Sequence, residues 1–113
     1  MSKTLFEKIC ARELPGDIVW EDDVVVAFRD IHPQAPVHVL LVPRKPIPRL
    51  SAANAEDEPI LGHLLLAAAK VAELLGLKNG YRLVLNTGRD AGEAVPHLHF
   101  HLIGGRPMRW PPG

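Results

Sequence analysis

Cysteine is nearly missing from this chain, Cys10 being the only one. No disulfide can close within a single copy, and no Cys-x-x-Cys zinc or redox site exists. Net charge is missing too, because thirteen Lys and Arg balance thirteen Asp and Glu for a formal +0. Without a global positive field, a nucleic-acid polymer or an anionic membrane would need a local patch to bind, and neither partner is expected. Long apolar runs are also lacking. The longest, Leu64 to Ala69, is far too short to cross a bilayer. The opening residues Met1-Ser2-Lys3-Thr4-Leu5-Phe6-Glu7-Lys8 carry charge where a secretory signal carries an apolar core. With one thiol and no export signal, the expected compartment is the cytoplasm.

What is present is ordinary for a globular chain: 47% apolar and 23% charged residues over 113 positions. That length predicts one domain over residues 1–113, with no internal repeat, linker or boundary. A chain this small buries a modest core, and pairing with a second copy would enlarge it.

Leu5, Phe6, Ile9 and Cys10 recur at helical spacing behind Thr4, a residue suited to capping, and predict a short helix stopped by Pro15-Gly16. Asp17 to Glu21 and Val24 to Phe28 read as a hairpin around Glu21-Asp22-Asp23. Ile31-His32-Pro33-Gln34-Ala35-Pro36 must be a loop, since each proline restricts itself and its predecessor. Val37 to Val42 is a third strand, ended by Pro43, and the stretch to Pro48 is irregular. Asp57-Glu58-Pro59 opens the one long helix with an acidic cap, and Gly76 closes it. Its apolar face comprises Ile60, Leu61, Leu64, Leu65, Ala68, Val71, Ala72 and Leu75, and Leu66 and Leu74 widen it towards burial on two sides. Tyr81 to Asn86 and His97 to Ile103 are further strands, separated by a glycine-bearing loop from Thr87 to Val95. The pattern is α+β with an antiparallel sheet.

The last strand carries the chemistry. His97, His99 and His101 alternate with Leu98, Phe100 and Leu102. On a strand of about 3.4 Å rise per residue, the three imidazoles share one face and the apolar residues the other. Three readings are open. The histidines can line a solvent-facing strand. They can ligate a metal, with Asp90 and Glu93 as the nearby carboxylates, although no cysteine joins the set. Or a neutral imidazole, with its ordinary pKa near ~6.5, can act as a nucleophile towards phosphorus while its neighbours fix its tautomer and move protons. The third reading needs an anion site, and the N–H groups of Gly92, Ala94 and Val95 in the preceding loop offer one.

His97-Leu98-His99-Phe100-His101-Leu102-Ile103 resembles the histidine-triad motif, in which three histidines alternate with apolar residues. Asp30-Ile31-His32-Pro33-Gln34-Ala35-Pro36, Leu75-Gly76-Leu77, Gly80-Tyr81-Arg82, Asn86 and the ending Gly104-Gly105-Arg106-Pro107-Met108-Arg109-Trp110-Pro111-Pro112-Gly113 extend the likeness to the Hint branch, the histidine triad nucleotide-binding proteins. The resemblance runs from about Thr4 to the last residue.

The resemblance implies a five-stranded antiparallel sheet with one long and one short helix, in a homodimer whose sheets join into a continuous ten-stranded sheet. It implies hydrolysis of the P–N bond of purine nucleoside 5′-phosphoramidates to nucleoside monophosphate and amine, without metal or cofactor. By position, His99 would be the nucleophile, His101 would hold the phosphate, and His97 and His38 would orient the set. Asp30 would take the ribose hydroxyls, and the purine would lie against Phe6, Ile9, Phe28, Ile31 and Leu40. Asn86, Gly92, Ala94 and Val95 would complete the phosphate and ribose contacts, with Trp110 near the partner subunit's site. Plainer roles stand beside these: Asp30 as a turn cap, Asn86 as a turn former, Phe28 and Ile31 as core, and Trp110 as a packed tail anchor. Three positions depart from the family pattern. Ala94 stands where a serine is common, Pro96 where an aromatic residue is common, and His32 where a small polar residue is common. The competing functions are a nucleotide-binding or interaction module with incidental turnover, and a dinucleoside polyphosphate hydrolase.

Overall fold

The computed structural model describes residues 3–113. Thr4 caps the first helix, α1 (Leu5–Cys10), through a reciprocal arrangement: its hydroxyl accepts from Glu7 N–H while the Glu7 carboxylate accepts from Thr4 N–H. Five strands follow as expected, β1 (Ile18–Glu21), β2 (Val25–Arg29), β3 (Val37–Pro43), β4 (Tyr81–Leu85) and β5 (Phe100–Gly104), with the long helix α2 (Glu58–Leu74) between β3 and β4. They form one antiparallel sheet in the order β1-β2-β3-β5-β4. The β1–β2 turn is fastened by Asp22, whose carboxylate accepts from Val24 and Val25 N–H. The α+β reading and its antiparallel sheet hold.

Strand alternation divides the sheet into two unlike faces. Val25, Ala27, Val39, Leu41, Phe100 and Leu102 meet Leu64, Ala68 and Val71 of α2 in the main core. Leu41, Leu64, Leu98 and Leu102 are fully buried, each contributing roughly 2–3 kcal/mol of apolar burial. The opposite face holds Val26, Phe28, Leu40 and Val42 against Phe6 and Ile9 of α1 in a smaller cluster. The histidines stand on this second face, since Leu40 lies directly opposite His101 in the β3–β5 register.

Several expectations need correction. The last strand begins at Phe100 rather than His97. Pro43, at the end of β3, has no N–H to continue the ladder, and Leu98 N–H turns instead to the Ile47 carbonyl at 2.7 Å. His97 therefore sits in a bend, its N–H bonded to Val95 O. Asp57 stands at the N-cap of α2, but its side chain makes no capping hydrogen bond there. Its buried carboxylate accepts from Asn54 N–H and pairs with Lys45 at 2.6 Å, and the cation's hydrogen bond holds its pKa below the usual carboxylate value. Within a single copy the sheet covers one side of α2 and leaves Leu65, Leu66 and Leu74 52%, 75% and 63% exposed. Among the described residues, no helix is long and apolar enough to cross a membrane.

Candidate active site

His99 is buried on the second face of the sheet, and one of its ring nitrogens has a fixed partner. Nδ1 lies 2.7 Å from the His97 carbonyl, which can only accept, so Nδ1 carries the proton. The remaining nitrogen, Nε2, then holds an in-plane lone pair. Phe6 meets the ring edge-on at 4.9 Å between centroids and restricts its rotation.

His101 is fixed by a longer chain of contacts. Gln34 N–H donates to His38 Nδ1 at 3.0 Å, so in the neutral His38 ring the proton lies on Nε2. That proton points to His101 Nδ1, 2.9 Å away. His101 Nδ1 is thus an acceptor, and its Nε2 carries the hydrogen. Burial pushes the His101 pKa down to about 4, with the neighbouring His99 and His38 lowering it further and Asp30 opposing them. His101 is therefore a neutral N–H donor at neutral pH. Its ring lies 5.1 Å from that of His99, so a lone pair and an N–H stand side by side.

His97 is wholly buried and serves as a brace. Its Nε2–H donates to Pro43 O at 2.7 Å, and its Nδ1 faces the Thr4 hydroxyl at 3.2 Å. Burial lowers its pKa and keeps the ring neutral. One imidazole thereby ties the N-terminal cap to the end of β3. The three histidines do not lie on one strand, yet they keep the common face that their spacing predicts.

The loop before the triad is shaped by Gly88 and Gly92, with φ of 85° and 80°, a region that side-chain-bearing residues rarely enter. Gly92 N–H is spent on Arg89 O and is not free for an anion, which corrects one expected contact. Among the described residues, no backbone acceptor meets Ala94 N–H or Val95 N–H. Glu93 accepts from Gly88 N–H and is gripped by the Arg49 guanidinium, whose Nε lies 2.9 Å from Oε1 and Nη2 3.0 Å from Oε2.

Phe6, Ile9, Phe28 and Leu40 come together as expected, with Val95 packed against them. Ile31 does not join them. It is 85% exposed at the tip of a two-proline loop, whose short span carries it off the sheet. Asp30 does two things: one oxygen accepts from His32 N–H at 2.8 Å, as a turn cap does, and the other lies 3.5 Å from His38 Nε2. Asn86 is half-buried just beyond β4. Trp110 is 81% exposed, so it is no packed anchor within one copy.

Asp30, His38 and His101 bring potential ligand atoms within 4.8 Å of one another. A metal at His38 Nε2 would need a lone pair there and an acceptor beyond Nδ1. Gln34 presents an N–H to Nδ1 instead, so the donor set runs against a cation. Asp90 is exposed beside Arg89 and Glu93 is bound to Arg49, so neither carboxylate serves the histidines as a ligand. Spacing alone gave no sign of the Gln34 amide, the Thr4–His97 tie or the Arg49–Glu93 pair. The Thr4-x-x-Glu7 capping pattern was the one readable signal among them.

Comparison with known proteins adds four findings. The HIT domain family model matches residues 11–108. An uncharacterized HIT-like protein of Synechocystis is 58% identical over 110 residues, covering 97% of this chain and 96% of that protein. Among solved structures, a HIT family hydrolase from Legionella pneumophila superposes with a TM-score of 0.95 at 46% identity, covering 98% of this chain and 100% of its own. A histidine triad nucleotide-binding protein from Candida albicans gives 0.82 at 30% identity, covering 96% of this chain and 83% of its own.

Proposed function

This chain belongs to the HIT domain family, and from that premise we propose that it hydrolyses the P–N bond of purine nucleoside 5′-phosphoramidates, as a homodimer of the Hint branch. The observation that carries the reading is the pair of complementary tautomers: an unprotonated Nε2 on His99 beside a protonated Nε2 on His101. The Legionella and Candida neighbours, a HIT family hydrolase and a histidine triad nucleotide-binding protein, support it.

In the first step, His99 Nε2 attacks phosphorus and the bond from phosphorus to the amine breaks, leaving a nucleotidyl-histidine. The forming imidazolium keeps its Nδ1–H on the His97 carbonyl, which stabilises the positive charge. His101 Nε2–H and the N–H groups of Ala94 and Val95 hold the non-bridging oxygens. An amine is a poor leaving group until protonated, and the departing nitrogen takes its proton from solvent, since His38 Nδ1 is committed to Gln34 N–H and His101 Nδ1 to His38. In the second step, water attacks phosphorus, the P–N bond to His99 breaks, and the water's proton returns to solvent. Nucleoside monophosphate leaves and His99 regains its lone pair.

Phe6, Ile9, Phe28 and Leu40 would provide the purine's apolar wall. Asp30 would take the ribose hydroxyls with the oxygen not committed to His32. In the dimer, Trp110 would contribute to the partner's site.

The test is acid quench of the protein during turnover of adenosine 5′-monophosphoramidate, followed by mass spectrometry. An acid-labile adenylate on His99 is expected, as is loss of amine release with retention of AMP binding in His99→Gly. AMP binding without amine release by the unaltered protein would establish a binding module instead. Faster cleavage of a diadenosine polyphosphate than of the phosphoramidate would establish a polyphosphate hydrolase.

A further inference from the structure

Glu93 is an odd residue to find beside an anion site. It immediately precedes Ala94 and Val95, whose N–H groups face no backbone acceptor among the described residues, and its side chain is only 14% exposed. A lone carboxylate there would repel a phosphate through a poorly screened medium. It is not alone. Arg49 approaches side-on, with Nε 2.9 and 3.1 Å from the two carboxylate oxygens and Nη2 3.0 Å from Oε2, the two-point geometry in which arginine matches a carboxylate best. The same carboxylate accepts from Gly88 N–H at 3.1 Å, while Glu93 N–H returns to Gly88 O at 3.1 Å. Both ends of the six-residue turn are thereby fastened at one point. Arg49 is itself supported, since it follows Pro43, Pro46 and Pro48 in a stretch with few conformational options.

Resting on the reading that a nucleotide phosphate binds beside His99, we infer that Arg49 and Glu93 form a charge-balanced clasp that sets the site's affinity for the phosphate. Glu93 shapes the loop so that Ala94 and Val95 N–H converge, and Arg49 cancels the charge that this shaping brings in. Both are positioning residues, acting on the anion through the loop and through their field. The Arg49 hydrogen bond first, and Gly88 N–H after it, hold the Glu93 carboxylate below the usual carboxylate range.

The consequence is a pair of opposite signs. Arg49→Gln leaves a bare carboxylate beside the phosphate, whereas Glu93→Gln leaves a bare guanidinium. The double variant restores neutrality and can keep a hydrogen bond between two amides. The measurement is calorimetric binding of AMP and of adenosine, at low and high salt, to the unaltered protein and to all three variants. Adenosine lacks the phosphate and reports on the rest of the pocket. The AMP-to-adenosine affinity ratio should fall about tenfold in Arg49→Gln, rise several-fold in Glu93→Gln and return close to its original value in the double variant. High salt should shrink both single-variant effects. If both single variants change the ratio in the same direction, or leave it unaltered, the clasp is a mechanical brace only and the inference fails. Should Arg49→Gln not fold, the rise in Glu93→Gln still decides the matter, because loss of a brace cannot tighten phosphate binding. If the unaltered protein prefers AMP no more than adenosine, the phosphate reading fails and the clasp falls with it.

Discussion

At the scale of single residues, the site is a matter of which nitrogen holds which proton. His99 and His101 are the same chemical group two positions apart, yet a carbonyl leaves one with a free Nε2 lone pair and a neighbouring ring makes the other an Nε2–H donor. The burial that enforces this has a cost that depends on pH. An unfolded chain protonates His101 near ~6.5, whereas the folded protein resists doing so until about 4. The unfolded state therefore binds more protons between those values, and stability must fall as pH falls through that window. His97, lowered by its own burial, acts in the same direction. Asp22, Asp57 and Glu93, all lowered from ordinary carboxylate values, lose their stabilisation at still lower pH. His101→Asn should flatten the decline between roughly pH 6.5 and 4 by on the order of 2 kcal/mol in urea-unfolding titrations. An unchanged slope would mean that His101 is charged in the folded protein.

At the scale of elements, α1 is too short to stand alone, having only six residues. It is held by its cap and by what the cap touches. The Thr4 hydroxyl accepts from Glu7 N–H and faces His97 Nδ1, so one side chain starts the helix and secures the brace of the active site. Thr4→Ala should cost about 1–2 kcal/mol, read from the denaturant midpoint. It should also slow turnover, because Phe6, which α1 carries against His99, loses its anchor. Thr4→Ser keeps the hydroxyl and should restore both quantities. A Thr4→Ala protein with full activity would separate the helix from the catalytic geometry. The cap, the five strands and the long helix were all legible from residue types and spacing. The start of β5 was not, because it depends on Pro43 lying across from it and on Ile47 taking the Leu98 N–H, neither of which is a neighbour in the chain.

At the scale of the whole molecule, one sheet face is covered by α2 and the other by α1, while the outer side of α2 is left bare. Leu65, Leu66 and Leu74 are exposed there, and β4 is an edge of the sheet with Tyr81 44% exposed. A concavity of about 710 Å³ next to β4 is lined by Leu77, Tyr81, Arg82, Arg106 and Met108, and none of the histidines borders it. These surfaces fit the expected homodimer, with edge strands joining and long helices packing together. Leu66→Asp with Leu74→Asp should convert a dimer to a species near 12.4 kDa in sedimentation and reduce turnover if Trp110 serves the partner's site. A single-chain mass for the unaltered protein would refute the dimer.

The sequence alone determined what depends on neighbours along the chain: helix caps, strand alternation, the shared histidine face and the glycine turns, all of which are set by local backbone geometry. Only the tertiary structure decided the proton positions on His99 and His101, the exposure of Ile31, the loss of Gly92 N–H to a turn and the pairing of Arg49 with Glu93. Several of those outcomes depend on hydrogen-bond partners, and two of these, His38 for His101 and Arg49 for Glu93, come from distant parts of the chain. Gln34 and His101 are linked through His38 only because β3 lies beside β5, a juxtaposition that no spacing along the chain encodes.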